Sequence, residues 1–344
     1  MVNNLKIDAF CHIIPPRYKQ WLAKPKNKSH DLDKIVGATP NLTDMEQRFR
    51  IMDRFPGLKQ VLTISAPAVE ELADVTEAPV MAKIANDEMA ELIEKYPDRF
   101  AGGIATVAMN NIDFTLTEID RALNDLKLKG VQIFTPINGE PIDQNKFLPV
   151  YEKIANYNVP IWIHPRRDRT LPDYVGERKS KYSIYSIMGW PYETSAAMIR
   201  LVMSGVFERF PTLKIITHHC GAMIPYFANR IALSYSFKGD LSIDKLKQRG
   251  TISRNPLDYL KMFYADTALH GNTAALMCGL AFFGVEHILF GSDMPYDPEG
   301  GAFSTKETIR SIENMNVSDT DKRKIFADNI MGLLDQANGK IYKQ

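Results

Sequence analysis

Histidine and aspartate residues stand at the ends of apolar segments that are far apart in this sequence. The apolar run at 288–290 reads as a buried strand, and Asp293 follows it after a turn of small residues. A carboxylate at the mouth of a buried strand needs a positive partner, usually a metal ion or an imidazole. Three upstream apolar runs end on histidine in the same way, at His12, at His164 and at the pair His218 and His219.

Imidazole nitrogens and a carboxylate oxygen form a mixed donor set that suits a divalent cation. Zinc is the first expectation for such a set, and manganese is the alternative. None of these histidines has the short local spacing of a motif such as HxxxH. The metal prediction therefore depends on a fold that brings remote strand ends together.

The elements that carry these residues alternate between strand and helix. Strands are predicted at 5–13, 60–64, 101–107, 130–134, 160–164, 213–218, 262–267 and 288–291. Helices are predicted at 43–52, 81–95, 112–126, 147–157, 189–204, 273–283, 305–314 and 319–334. This order predicts a parallel sheet, and eight units favour a closed (β/α)₈ TIM barrel over an open doubly wound sheet. In such a barrel His12, His164, His218 or His219, and Asp293 would share one pocket at the C-terminal strand ends.

A single domain over 1–344 is expected, since barrels of this kind reach this length without a second core. The polar and basic stretch 17–56 is predicted to be an insertion after the first strand, and 166–190 a loop at the active site. The 42 basic and 41 acidic residues nearly cancel, so the charge favours a small-molecule partner over nucleic acid or a membrane surface. Three cysteines without CxxC spacing, no leader pattern and no long apolar window indicate a cytoplasmic protein.

Several motifs together resemble the amidohydrolase superfamily. They resemble most closely its amidohydrolase-related family 2, the branch of aminocarboxymuconate-semialdehyde decarboxylase and the aromatic acid decarboxylases. The motifs are Asp8-x-x-Cys11-His12-x-x-Pro15, Ile163-His164-Pro165, the block from Phe207 to Arg230, Tyr264-Ala265-Asp266-Thr267 and Gly291-Ser292-Asp293-Met294-Pro295. The resemblance covers the chain from residue 7 to the final helix, and it implies a metal-dependent barrel enzyme.

The resemblance implies roles for individual residues. His12, His164 and Asp293 match metal ligands, whereas Phe10 stands where the branch usually has another ligand on the first strand. His219 matches the catalytic histidine, with His218 expected to point away from it by strand alternation. Asp293 is expected to serve in catalysis as well as in metal binding.

Two further residues are candidates for substrate binding. Arg230 matches a family arginine that meets a substrate carboxylate. Trp190 either forms an aromatic wall for a planar substrate or packs as a staple at a helix start. For Asp266 the sequence leaves open whether the carboxylate lines the pocket or forms a salt bridge in the barrel floor.

The predicted function is a metal-dependent carboxy-lyase that decarboxylates a small aromatic or unsaturated carboxylic acid. A metal-dependent hydrolase with the same residues is the alternative, because the same metal and Asp293 would activate water. A non-catalytic binding barrel that lost a metal ligand at Phe10 is a third possibility. The resemblance also implies a homodimer, with the 17–56 or 166–190 segment near the interface.

Overall fold

The computed structural model describes residues 4–22, 37–237 and 239–336. Within these residues nine strand segments run parallel to their neighbours. They are β1 (Lys6–Ile13), β2 (Leu58–Ile64), β3 (Phe100–Gly103), β4 (Ala105–Thr106), β5 (Val131–Thr135), β6 (Pro160–Pro165), β7 (Lys214–Thr217), β8 (Tyr264–Asp266) and β9 (Ile288–Leu289). Only Ile104 separates β3 from β4, so the two segments form the third of eight strand positions.

Backbone hydrogen bonds connect all eight strand positions into a closed sheet. At the break between β3 and β4, Ile104 N donates to Leu62 O at 2.9 Å and continues the pairing with β2. Beyond β9, Ala9 N donates to Phe290 O and His12 N to Met294 O, both at 2.8 Å. These two bonds form the seam between the last strand position and the first. The predicted (β/α)₈ barrel is therefore confirmed.

Helices occupy the connections between the strands. The longer ones are α1 (Pro16–Leu22), α2 (Met45–Met52), α4 (Ala78–Lys95), α5 (Ile112–Asn124), α6 (Leu148–Tyr157), α8 (Gly189–Met203), α10 (Ile224–Phe237), α13 (Thr273–Phe283), α14 (Ala302–Glu313) and α16 (Asn329–Gln336). The shorter ones are α3 (Val69–Leu72), α7 (Ile184–Ile187), α9 (Val206–Arg209), α11 (Ile243–Gln248), α12 (Pro256–Leu260) and α15 (Asp319–Arg323). A π-helical segment, Lys324–Asp328, lies between α15 and α16.

Several helices were not predicted, among them α1, α11 and α12, and two differences lie next to the strand ends. The helix α10 was not predicted. It follows directly on the histidine block, and its first turn contains Pro225, a residue that is also common in turns. The helix predicted at 319–334 is divided by the π-helical segment, and there Ile325 O accepts a hydrogen bond of 2.8 Å from Phe290 N. A π turn disturbs the regular ladder and allows such a contact. The final helical region is tied in this way to the strand that leads to Asp293.

The segment 17–56 connects to the end of the first strand. Residues 23–36 of this segment lie outside the described residues. The helix α2 begins at an Asp44 cap that accepts from Gln47 N at 3.0 Å. Arg48 of α2 is fully buried and donates to His12 O at 2.8 Å and to Gln60 Oε1 at 2.7 Å. The guanidinium therefore braces the backbone of His12. Its classification as an insertion stays a prediction.

Apolar side chains fill the barrel interior below the histidines. Trp162 of β6 is fully buried there and donates from its indole nitrogen to Ala9 O at 2.9 Å. Its neighbours in this cluster include Val61, Ile104, Ile216 and Leu289. Such an interior is a packed core, and it leaves the strand ends above it as the place for chemistry.

Candidate metal centre

His12 lies at the end of β1 and presents one ring nitrogen to the pocket. The Thr63 hydroxyl donates its proton to Cys11 O at 3.2 Å and therefore accepts from His12 Nδ1, also at 3.2 Å. The proton of this imidazole thus sits on Nδ1, and Nε2 keeps a free lone pair. Nε2 is buried, lies 3.1 Å from Asp293 Oδ1 and has no hydrogen-bond partner.

His164 and His218 are oriented in the same manner. His164 Nδ1 lies 2.8 Å from Pro165 O, which only accepts, so Nε2 of this ring carries the lone pair. His218 Nδ1 bonds to the Asp266 carboxylate, and its Nε2 lies 3.2 Å from Asp293 Oδ1 without a hydrogen-bond partner. A metal-binding histidine usually donates its second nitrogen to a carbonyl or carboxylate in this way.

Asp293 stands in a turn whose backbone is itself constrained. Its φ of 64° lies in the left-handed region, where aspartate and asparagine are better tolerated than most other residues. The buried Asp8 carboxylate accepts from Ser292 N at 3.0 Å and also bonds to the Ser292 hydroxyl. Gly291 allows a close approach on the other side, since a Cβ there would lie 2.9 Å from Asp266 Cβ. The turn is thereby held against both β1 and β8.

His219 occupies a different environment from the other three histidines. Its Nε2 lies 3.8 Å from Asp293 Oδ2, and its Nδ1 is buried without a hydrogen-bond partner. Its side chain is 17% exposed, whereas that of His218 is fully buried. The residues from His219 to Ala222 all have positive φ, so the chain turns sharply after β7. His218 is still extended, and the turn begins at His219. The prediction that the two histidines point in opposite directions is therefore wrong, because both approach Asp293.

The charges of the pocket are set by burial and by mutual contact. Burial lowers the pKa of His12, and the Asp293 carboxylate offsets this only in part. Burial and the neighbouring imidazoles hold the pKa of His164 well below its ordinary value. Burial would raise the pKa of Asp293, but His218, His12 and His219 together hold it well below the usual range. Asp293 is therefore an anion at neutral pH, and the imidazoles of His12 and His164 are neutral.

His218 is the exception among the imidazoles. Burial by itself would lower its pKa, but the carboxylates of Asp266 and Asp293 outweigh that effect and raise the pKa to about 10. The two carboxylates thus favour a positive charge at the centre of the cluster. A divalent cation would satisfy the same demand.

The donor atoms form two overlapping groups that share His218, and each group could hold a cation. One ligand atom each from His12, His164 and His218 lie within 4.8 Å of one another, and so do those of His218, His219 and Asp293. Bonds of roughly 2.0–2.2 Å from a shared ion would place its ligands at such separations. Buried nitrogens with free lone pairs around an anionic oxygen are the donor set that divalent metals take.

Other predicted site residues lie at different distances from this cluster. The Trp190 ring meets His164 edge-on, with centroids 5.6 Å apart, and its buried indole N–H has no partner. Arg230 lies on α10 with an exposed side chain and is not part of the histidine cluster. The Phe10 ring stacks on His218 at a centroid distance of 4.2 Å and forms a side of the pocket.

Sequence reasoning missed two contributors to this site and left the role of a third undecided. Asp266, which the sequence left open, orients His218 in the pocket; its position at the end of β8 was the available signal. Thr63 fixes the tautomer of His12, and Tyr296 lies with its ring 5.4 Å from that of His12 and bonds through its hydroxyl to Ser65. Hydroxyl partners of this kind cannot be predicted from residue spacing in the sequence, because their contacts depend on how the strands are paired.

In (β/α)₈ barrels the active site lies at the C-terminal ends of the strands. Here the imidazoles and the carboxylate meet at those strand ends, which defines the class of barrel enzymes with a metal-binding site. A sequence profile described as amidohydrolase matches residues 7–335. The chain belongs to the amidohydrolase family, as its motifs predicted.

Two similar proteins of known activity indicate the type of reaction found among relatives of this chain. A gamma-resorcylate decarboxylase from Polaromonas sp. is 29% identical over 307 residues, which cover 84% of this chain and 86% of the relative. The crystal structure of 5-carboxyvanillate decarboxylase from Sphingomonas paucimobilis is similar with a TM-score of 0.78 at 26% identity, covering 96% of this chain and 99% of that one. These activities agree with the predicted carboxy-lyase reaction.

A third comparison concerns the metal. A dihydroxybenzoic acid decarboxylase from Polaromonas sp. JS666, crystallised with manganese and the inhibitor 2-nitroresorcinol, is 26% identical with a TM-score of 0.73 and covers 98% of this chain and 99% of its own. This similarity supports the prediction of a divalent metal ion, but it does not support zinc in particular. Among the described residues, no helix combines the length and apolar character needed to cross a membrane.

Proposed function

We propose that this protein is a divalent-metal-dependent decarboxylase of a small aromatic carboxylic acid that carries an oxygen substituent next to the carboxylate. The observation that carries the proposal is the set of buried, partnerless nitrogens around Asp293 Oδ1. His12, His164 and Asp293 are assigned as metal ligands. The bound cation would hold the substrate carboxylate and its neighbouring oxygen and would offset their charge.

The chain's own residues supply the proton that the reaction consumes. Loss of carbon dioxide leaves an electron pair on the ring carbon, and one proton must reach that carbon for each carbon dioxide released. Asp293 is buried and enters the reaction as an anion, whereas His219 faces its second oxygen and retains some exposure. The two side chains form a path along which a proton passes from solvent to the ring carbon.

Trp190 is assigned to substrate binding on the strength of its unpartnered indole N–H and its contact with His164. An aromatic ring beside a metal centre gives a planar substrate a surface to stack on. For Arg230, which is exposed on α10, the substrate-binding role stays a prediction.

Decarboxylation and its metal dependence are tested together. Purified protein is stripped with a chelator, reloaded with zinc or with manganese, and incubated with a panel of hydroxybenzoates and muconate-type acids. Carbon dioxide release is expected from a hydroxybenzoate and only after reloading. The imidazole-rich donor set favours zinc in affinity, so zinc is expected to displace manganese in a mixture of the two ions.

Two results would contradict the proposal. Cleavage of a lactone or amide without carbon dioxide release would identify a hydrolase. A preparation that binds neither metal and turns over no acid would identify the non-catalytic barrel, in which Phe10 marks a lost site.

We also propose a homodimer, because α10 exposes an apolar stripe. Tyr226, Leu233 and Phe237 are 79%, 65% and 66% exposed, and their spacing of seven and four residues places them on one helical face. Within 166–190, further apolar side chains are exposed, namely Leu171, Tyr174, Val175, Tyr182, Ile187 and Met188. Large apolar side chains exposed in such numbers commonly mark a protein interface.

The Leu233→Asp variant is expected to weaken the dimer by at least about tenfold in Kd, because a charge would be buried at the interface. Light scattering across a dilution series measures this change. Val80→Asp serves as the matched control, since Val80 is also exposed but lies on α4. A wild-type protein that is monomeric at all concentrations would refute the dimer.

A further inference from the structure

His218 lies where a metal ligand would lie, although strand alternation predicted that it would point away from His219. Its Nε2 is 3.2 Å from Asp293 Oδ1, the oxygen that also faces His12. Its ring centroid is 5.9 Å from that of His12 and 5.4 Å from that of His164. Its ring therefore borders the space that the other proposed ligands face.

Asp266 fixes this orientation from behind. One carboxylate oxygen bonds to His218 Nδ1, and the other accepts from Cys220 N and Ala268 N, each at 3.1 Å. The carboxylate is fully buried and cannot turn without breaking these bonds. Phe10 stacks on the opposite side of the imidazole, so the ring is held between an anchored anion and an aromatic face.

The contrast with His219 separates a ligand from a proton carrier. His12, His164 and His218 each have Nδ1 bonded to an oxygen, which leaves Nε2 as the donor atom toward the pocket. His219 Nδ1 has no partner, and its Nε2 lies farther from Asp293, at 3.8 Å. A fixed ring suits a metal ligand, whereas a ring without an anchor suits a group that exchanges protons.

We infer that His218 is a metal ligand, which gives the centre three imidazoles and one carboxylate, and that Asp266 is its positioning residue. The inference rests on the proposed metal site of His12, His164 and Asp293. The Phe10 side chain offers no donor atom, so the proposed site has only three ligands without His218. The adjacent His218 supplies the fourth. Four protein ligands of this type match the preferred coordination number of zinc.

X-ray absorption spectroscopy of the zinc-loaded wild-type protein tests the ligand count without any variant. Three imidazoles per zinc are expected. Two imidazoles per zinc would overturn the inference while leaving the proposed metal site intact, and none would reject both. The measurement does not depend on turnover.

Variants provide the second test, read out as zinc affinity in competition with a chromophoric chelator. His218→Ala is expected to lower the affinity at least about 100-fold, and Asp266→Asn about 10- to 100-fold. His219→Ala, the matched neighbour, is expected to change it less than about fivefold, since its ring is not anchored as a ligand. The double variant Phe10→His/His218→Ala is expected to bind zinc at least about tenfold more tightly than His218→Ala alone, because the two rings are stacked neighbours.

Each outcome of the variant series has a defined meaning. Unchanged affinity in a folded His218→Ala protein would overturn the inference, provided His164→Ala loses the metal. Unchanged affinity in both variants would instead reject the proposed metal site. If His218→Ala fails to fold, as judged by circular dichroism, Asp266→Asn and the wild-type ligand count decide.

Discussion

Decarboxylation by the Asp293→Asn variant is expected to be at least about 1,000-fold slower than by the wild-type protein. The substitution keeps the size of the side chain but removes the negative charge that faces His12, His218 and His219. It also removes a proposed metal ligand and one carrier of the transferred proton. Initial rates of carbon dioxide release, measured with added metal in excess, determine the change in kcat.

The fold of this variant should survive, because asparagine tolerates the left-handed conformation that position 293 requires. Asp240→Asn is a suitable control, since the Asp240 side chain is 86% exposed and its ion pair with Arg249 lies on the surface. The control should retain wild-type kcat. Turnover of the Asp293→Asn protein at the wild-type rate would rule out the proposed site.

The His219→Asn variant is expected to lose about 100- to 10,000-fold in kcat while it retains its metal. An asparagine side chain tolerates the left-handed backbone at position 219 but would no longer pass a proton toward Asp293 Oδ2. Parallel measurements of kcat and of bound metal by mass spectrometry separate the loss of proton transfer from the loss of the ion. A fall in both quantities together would make His219 a ligand instead.

His270 provides a matched control for this substitution. It also has a positive φ, of 48°, and its Nδ1 lies 3.2 Å from the Ser304 hydroxyl, outside the histidine cluster. The His270→Asn variant is expected to keep kcat within about twofold of wild type, as for a surface substitution. Near-wild-type kcat in His219→Asn would assign proton transfer to Asp293 alone.

The barrel was predictable because strand order and period are local signals. His12, His164 and Asp293 follow the apolar runs of the first, fifth and eighth strand positions, and a parallel barrel gathers such strand ends at one rim. The meeting of His12 with Asp293 across 3.1 Å thus followed from pattern and topology alone. The family membership followed from the same motifs.

The orientation of His218 was not predictable from strand alternation. The strand β7 stops at Thr217, His218 is still extended, and residues 219–222 then take positive φ values that no periodic pattern encodes. Asp266 faces His218 because β8 pairs beside β7, and Thr63 faces His12 because the two residues are in register. Contacts of this kind depend on register and on turn geometry, which a single sequence leaves undetermined.

The seam between the first and last strand positions has a consequence for biosynthesis. His12 and Asp293 are held together across it by the bonds from Ala9 to Phe290 and from His12 to Met294. A ribosome must therefore translate almost the whole chain before the carboxylate can join the imidazoles. Loading of the ion becomes a late step of maturation, and a nascent polypeptide arrested before the final strand would hold at most an incomplete centre.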